Sequence, residues 1–149
     1  MLAQQPIVRA PSTYLKVETS IIETRKKKEI VDITPILTSY IEKKKIKDGI
    51  LVAQVTHTTC CLTTGEIGEG TDDDLLEIAQ KIIPDISFRH GHNPSHAWTH
   101  MASSIIGSSL SLIIKNGKLI LGTWQSVLLM ELDGPRQRKI SVAILSSIS

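Results

Sequence analysis

A chain of 149 residues with a formal charge of +2 has room for one domain with a real core, and little for a second. Hydrophobic residues make up 41% and charged residues 21%, ordinary for a globular protein, and no run of 18 or more apolar residues offers a membrane span. So small a charge gives little long-range attraction to a polyanion. The basic runs Arg25–Lys28 and Lys43–Lys45 therefore read as a solvated turn and a solvated helix end, and nucleic acid is not an expected partner.

Residues 1–12 contain no apolar signal-peptide core and are expected to form a flexible arm ahead of one domain over residues 13–149. Tyr14 to Arg25 alternates as a strand does, and a turn at Lys26–Lys28 followed by Glu29–Ile33 predicts a hairpin. Thr34-Pro35 then opens a helix, with Thr34 as N-cap and Pro35 in the first turn. Ile36, Leu37, Tyr40 and Ile41 recur at helical spacing up to the lysines, and Asp48-Gly49 ends the unit. Ile50–Val55 is nearly all apolar, which predicts a strand buried on both faces. Cys60–Thr64 is a further strand, and Thr71 with Asp74 resembles a capping box at the head of a second helix. Leu75, Leu76, Ala79, Ile82 and Ile83 give that helix one apolar stripe, with Pro84 just beyond.

Asp85–Thr99 carries no strong periodicity and reads as a functional loop, followed by a short helix from about His96 to Ile106. The remainder is rich in strands. Asn116-Gly117 joins two of them in a tight hairpin, and Asp133-Gly134-Pro135 marks another turn. The sum is an α+β domain, a mainly antiparallel mixed sheet with two main helices.

All five histidines lie between His57 and His100, four of them in the eleven residues from His90. His96 and His100 are four apart and share a helix face at metal-ligand spacing. His57 ends an apolar strand, where sheets expose site residues. Imidazole suits zinc, iron, nickel or copper. Glu66 follows on a glycine-rich loop, as a solvated acid or as a base or extra ligand. Trp124 in Gly122-Thr123-Trp124-Gln125 either plugs a sheet edge or stacks on a substrate, and Arg136 on its turn has the fork geometry for phosphate or carboxylate. Cys60 and Cys61, the only cysteines, are adjacent and cannot readily share a metal or bond to each other. With no disulfide framework, a reducing cytoplasmic setting is expected.

These pieces resemble the YjbQ-like family, some of whose members are labelled secondary thiamine-phosphate synthases. The matching stretches are His57-Thr58-Thr59-Cys60-Cys61-Leu62-Thr63, Glu66, Phe88-Arg89-His90, Thr99-His100 through Gly107-Ser108-Ser109-Leu110, Leu121-Gly122-Thr123-Trp124-Gln125 and Asp133-Gly134-Pro135-Arg136. Cys60 and Cys61 replace the family's small residues and read as packing variants. Phe88 replaces its usual tyrosine, and Gly65-Glu66-Ile67 replaces its Asn-Glu-Asn. The resemblance implies a YjbQ-like fold and a homotrimer with sites near the subunit contacts. It makes His57, His90 and His100 the shared histidines, with His92 and His96 left as incidental surface residues.

On that footing His57, His90 and His100 are expected to hold a divalent metal, with zinc the expected ion. Glu66 and His57 would be catalytic, and Ser108, Trp124, Gln125 and Arg136 would bind a small phosphorylated metabolite. The implied reaction is thiamine-phosphate synthase-like, joining a pyrimidine diphosphate to a thiazole phosphate. A non-catalytic metal- or small-ligand-binding protein is the alternative.

Overall fold

The computed structural model describes residues 13–147; the expected arm at residues 1–12 lies outside them. In chain order the elements are β1 (Thr13–Glu23), β2 (Glu29–Asp32), α1 (Thr34–Lys43), β3 (Gly49–Val55), β4 (Cys60–Gly65), α2 (Thr71–Lys81), a 3-10 turn (Pro94–His96), α3 (Ala97–Ile106), β5 (Ser109–Lys115), β6 (Lys118–Leu119), β7 (Ser126–Glu131) and β8 (Gln137–Ser147). The strands form two sheets, β1-β8-β3-β5-β6 and β2-β7-β4, and every pairing is antiparallel. The α+β class stands, with the sheet divided in two.

That division corrects the first hairpin. β1 pairs with β8 along its whole length, from Thr13↔Ser147 to Glu23↔Gln137, whereas β2 pairs with β7 in the other sheet. The chain at Thr24–Lys28 crosses between sheets, and the turn at Asp133–Arg136 crosses beside it. Thr24 N–H donates to the Arg136 carbonyl at 2.9 Å, and Gly134 N–H to that of Lys27 at 2.8 Å. A Cβ at Gly134 would stand 2.4 Å from the Lys26 carbonyl oxygen, so only glycine lets the crossings lie this close.

One core fills the space between the sheets, joining Leu37 and Ile41 of α1 to Leu51, Ala53 and Val55 of β3 and to Val127 and Leu129 of β7. A second lies on the far side of the small sheet, where Leu76 and Ala79 of α2 and Ala102 of α3 cover Cys61 and Met130. Adjacent strand residues point to opposite faces, and Cys60 and Cys61 do so, one into each core. The strands buried on both faces are thus β4 and β7. β3 alternates instead, with Ile50 and Val52 exposed, because nothing among the described residues covers the outer face of the large sheet.

Two helix starts also differ from expectation. Ile33 is the N-cap of α1, while Asp32 Oδ1 accepts from Thr34 N–H and Thr34 Oγ1 accepts from Val127 N–H at 2.8 Å. Thr34 thus pins the helix to β7 and caps nothing. At α2 the N-cap is Gly70, at φ 89°, and the Thr71 hydroxyl turns back to the Gly68 carbonyl at 2.7 Å. Asp72, Asp73 and Asp74 supply the negative charge that the helix start favours. The Asn116-Gly117 hairpin forms as expected, both residues at positive φ of 52° and 77°.

Candidate metal centre and the cleft beside it

His90 lies in the irregular segment after α2, His96 ends the 3-10 turn and His100 lies one turn along α3. Helical spacing puts His96 and His100 on one face, and the chain folds His90 against both. Their ring centroids are 4.9–5.1 Å apart, and one ligand atom from each lies within 4.8 Å of the others. His96 Nε2 and His100 Nε2 are 3.1 Å apart, close to the roughly 3.3 Å separating two nitrogens on a tetrahedral zinc with bonds of about 2.05 Å. The residues fit such an ion: three imidazole nitrogens converge, a donor set that suits zinc with a further ligand in the fourth position.

The surroundings of His100 disfavour its charged form. Burial pushes the His100 imidazole below its ordinary value, and the neighbouring His96 and His90 push it further. Its ring also hydrogen-bonds the Thr58 backbone, the kind of outer contact that fixes a ligating histidine. The Thr99 hydroxyl donates to the His96 carbonyl at 2.7 Å.

His96 and His100 also line a cleft of about 750 Å³ with His57, Thr59, Asp133, Arg136 and Arg138. His57 is not one of the clustered three. It stands after β3, and its Nε2 accepts the Lys139 backbone N–H at 2.8 Å. Burial, and then the Arg138 charge, lower its pKa.

Behind His57 lies an ion pair that sequence reasoning missed. Arg138 Nε donates to Glu131 Oε2 at 2.6 Å and an Arg138 terminal nitrogen to Thr59 Oγ1 at 2.8 Å. Both side chains are buried, and Thr24 Oγ1 and Asp133 N–H complete the carboxylate's bonds at 2.9 Å each. Burial alone would raise the Glu131 carboxyl, but the bonds from Arg138, Asp133 and Thr24 hold it below its usual range. The available signal was one acid inside the apolar run from Val127 to Leu132, since a charge there demands a partner.

The remaining expected site residues lie elsewhere. Arg136 closes its fork on Asp133, Nε to the carbonyl and a terminal nitrogen to Oδ2, each at 2.7 Å. Glu66 is exposed just past the far end of β4, about 20 Å from Cys60 at the rise of a strand. Gln125 shares that end, spanning Thr64 Oγ1 at 2.9 Å and Gly122 N–H at 3.1 Å. Trp124 beside it is 76% exposed and plugs no edge within the chain. Ser108 is exposed between α3 and β5, its carbonyl accepting Val55 N–H at 2.9 Å. The cysteines are no nucleophiles: burial pushes the Cys60 thiol up to about 11 and that of Cys61 to about 12.

The family model for UPF0047 protein YjbQ-like matches residues 18–147. The chain belongs to that family. A UPF0047 protein of Methanocaldococcus jannaschii is 42% identical over 126 residues, covering 83% of this chain and 90% of that one. The UPF0047 protein YugU of Bacillus subtilis is 32% identical over 125 residues, covering 83% and 95%. Among solved structures, a protein of unknown function from Sulfolobus solfataricus superposes with a TM-score of 0.84 at 32% identity, covering 91% of this chain and all of that one. The UPF0047 match includes every histidine of the cluster and both crossings. Among the described residues no helix is long and apolar enough to cross a membrane.

Proposed function

We propose that this UPF0047 protein is a metal-dependent enzyme acting on a small phosphorylated substrate, with zinc held by His90, His96 and His100. The observation that carries it is the convergence of the three ring nitrogens within 4.8 Å at the wall of an open cleft. His96 takes the place first expected for His57. Zinc bound there would polarise a phosphate oxygen or a water. The chain's own part is to hold the His100 ring through Thr58 and the His96 backbone through Thr99. Arg136, more than half exposed on the wall, keeps N–H groups that suit a phosphate. The synthase reaction implied by resemblance, in which pyrophosphate departs, would use such groups.

The homotrimer remains part of the proposal, with other copies of this chain as its partners. The large sheet supports it. Opposite residues Leu15, Leu145, Ile50 and Ile113 form one rung across β1, β8, β3 and β5, continued by Ile120 just past β6, whose N–H bonds the Ile113 carbonyl, each 42–63% exposed on the outer face. A contiguous aliphatic row in water marks an interaction surface, and a symmetric assembly would cover it. Assembly is also how Glu66, Trp124 and Gln125 of one copy could reach the cleft of another.

One observation favours the non-catalytic alternative. Asp133 is the carboxylate that lines the cleft, and Arg136 holds it, so among the described residues no carboxylate of the cleft wall is free to act as general base. Three measurements test the proposal. Purified protein should carry about one zinc per chain, lost in His96→Ala and His100→Ala. Sedimentation should give a trimer that Ile50→Lys disperses. Turnover on a panel of phosphorylated metabolites should fall in Glu66→Gln; a protein that binds neither zinc nor any divalent ion sinks the metal reading.

A further inference from the structure

One bond fixes the chemistry of His57. The Lys139 backbone N–H donates to its Nε2 at 2.8 Å, and an amide proton aimed at that nitrogen requires a lone pair there. The neutral ring must then hold its proton on Nδ1. The arrangement is stiff, because the residues on either side are tied together too. Arg138, preceding Lys139, reaches the Thr59 hydroxyl at 2.8 Å and its carbonyl at 3.3 Å, and is itself held by the buried Glu131. Among the described residues no protein group bonds Nδ1, and the ring lines the same cleft as His96 and His100.

We infer that His57 is a hydrogen-bond donor and not a metal ligand, presenting Nδ1–H to an anionic oxygen of a phosphate group seated beside the His90–His96–His100 centre. This rests on the metal-centred reading of the cleft. Ligation through Nδ1 would require its proton to leave, and ligation through Nε2 would strip the Lys139 N–H of its acceptor. A donor role asks for neither change. Phosphate is the ligand class because Arg136, on the same wall, keeps N–H groups beyond the two spent on Asp133, whereas Arg138 behind it is spent on Glu131 and Thr59.

The tautomer is read directly by long-range ¹H–¹⁵N NMR of the metal-free protein, where His57 should show protonated Nδ1. In His57→Gln, Oε1 can take the Lys139 N–H while no donor stands at the Nδ1 position. That variant should keep its zinc and bind inorganic phosphate roughly tenfold to a hundredfold more weakly, the loss of one hydrogen bond to a charged group. His57→Asn, whose amide nitrogen falls near Nδ1, should recover part of the affinity. A protonated Nε2 overturns the inference, and so does a folded His57→Gln that loses zinc as fully as His100→Ala. Unchanged phosphate affinity in His57→Gln, or none in the wild type, overturns it as well. Failure of the wild type to take up zinc strikes the metal reading alone, since the tautomer and the phosphate affinity are also measured without metal.

Discussion

The two ends of β4 hold the two halves of the expected site and are built on opposite principles. At the Cys60 end the functional groups are braced from behind. The Glu131–Arg138 pair ties Thr24, Thr59 and Asp133 together, Lys139 fixes His57, and helical spacing sets His96 against His100. At the Gly65 end the Glu66 side chain is exposed and Trp124 lies open to solvent. Gln125 ties its turn only to Thr64 at the end of β4. The difference teaches that one chain preorganises the histidine end by its own contacts, whereas the other end lies open to solvent.

The strongest way to break that contrast is to remove half of the buried ion pair. Arg138→Met leaves Glu131 buried without its cation, which should cost about 3–5 kcal/mol of stability, read by thermal or urea unfolding. The double variant Glu131→Leu with Arg138→Met should recover much of that, since no charge is then stranded. A small loss in Arg138→Met would mean that water or another cation reaches Glu131, and that the histidine end is less braced than the geometry implies.

Acid should separate the ends next. His57 and His100 both have pKa values lowered from 6.5 in the folded chain, so the unfolded chain takes up their protons first as pH falls. The stability involved is fully present above about 6.5 and is lost below it, towards the folded values. Zinc held by His90, His96 and His100 would compete with protons for those ring nitrogens, so its affinity should fall by up to about tenfold per pH unit for each proton displaced. Chelator competition at about pH 8 and about pH 5 checks this, and an affinity indifferent to pH would exclude histidine ligands.

The smallest effect is expected at the open end. On an Ile50→Lys background that prevents assembly, Trp124→Ala and Glu66→Gln should each leave unfolding within about 0.5 kcal/mol of the parent. In the assembling protein the same changes should weaken association or turnover. Equal effects in both backgrounds would show that Trp124 and Glu66 serve the single chain.

Much of this was legible in the residue order, where local physics suffices. The Asn116-Gly117 turn, the stripe of α2, and the spacing of His96 and His100 are consequences of short-range geometry. That spacing already pointed to His96, yet the family pattern set it aside, and only the folded chain shows it packed against His90 as well. The hairpin expected from β1 and β2 failed because pairing is decided by whole-strand complementarity. Eleven residues of β1 match eleven of β8, and no local pattern reveals a partner more than a hundred residues away. Likewise Ile50–Val55 is nearly all apolar, but sequence cannot say whether a second layer covers its outer face.

The sequence by itself determined the class of fold and the family, because composition, periodicity and motif order are properties of the chain. Tertiary structure decided which histidines meet, which nitrogen of His57 holds its proton and which charges are buried together. Those depend on contacts between residues far apart in the chain, and such contacts exist only once both sheets have formed.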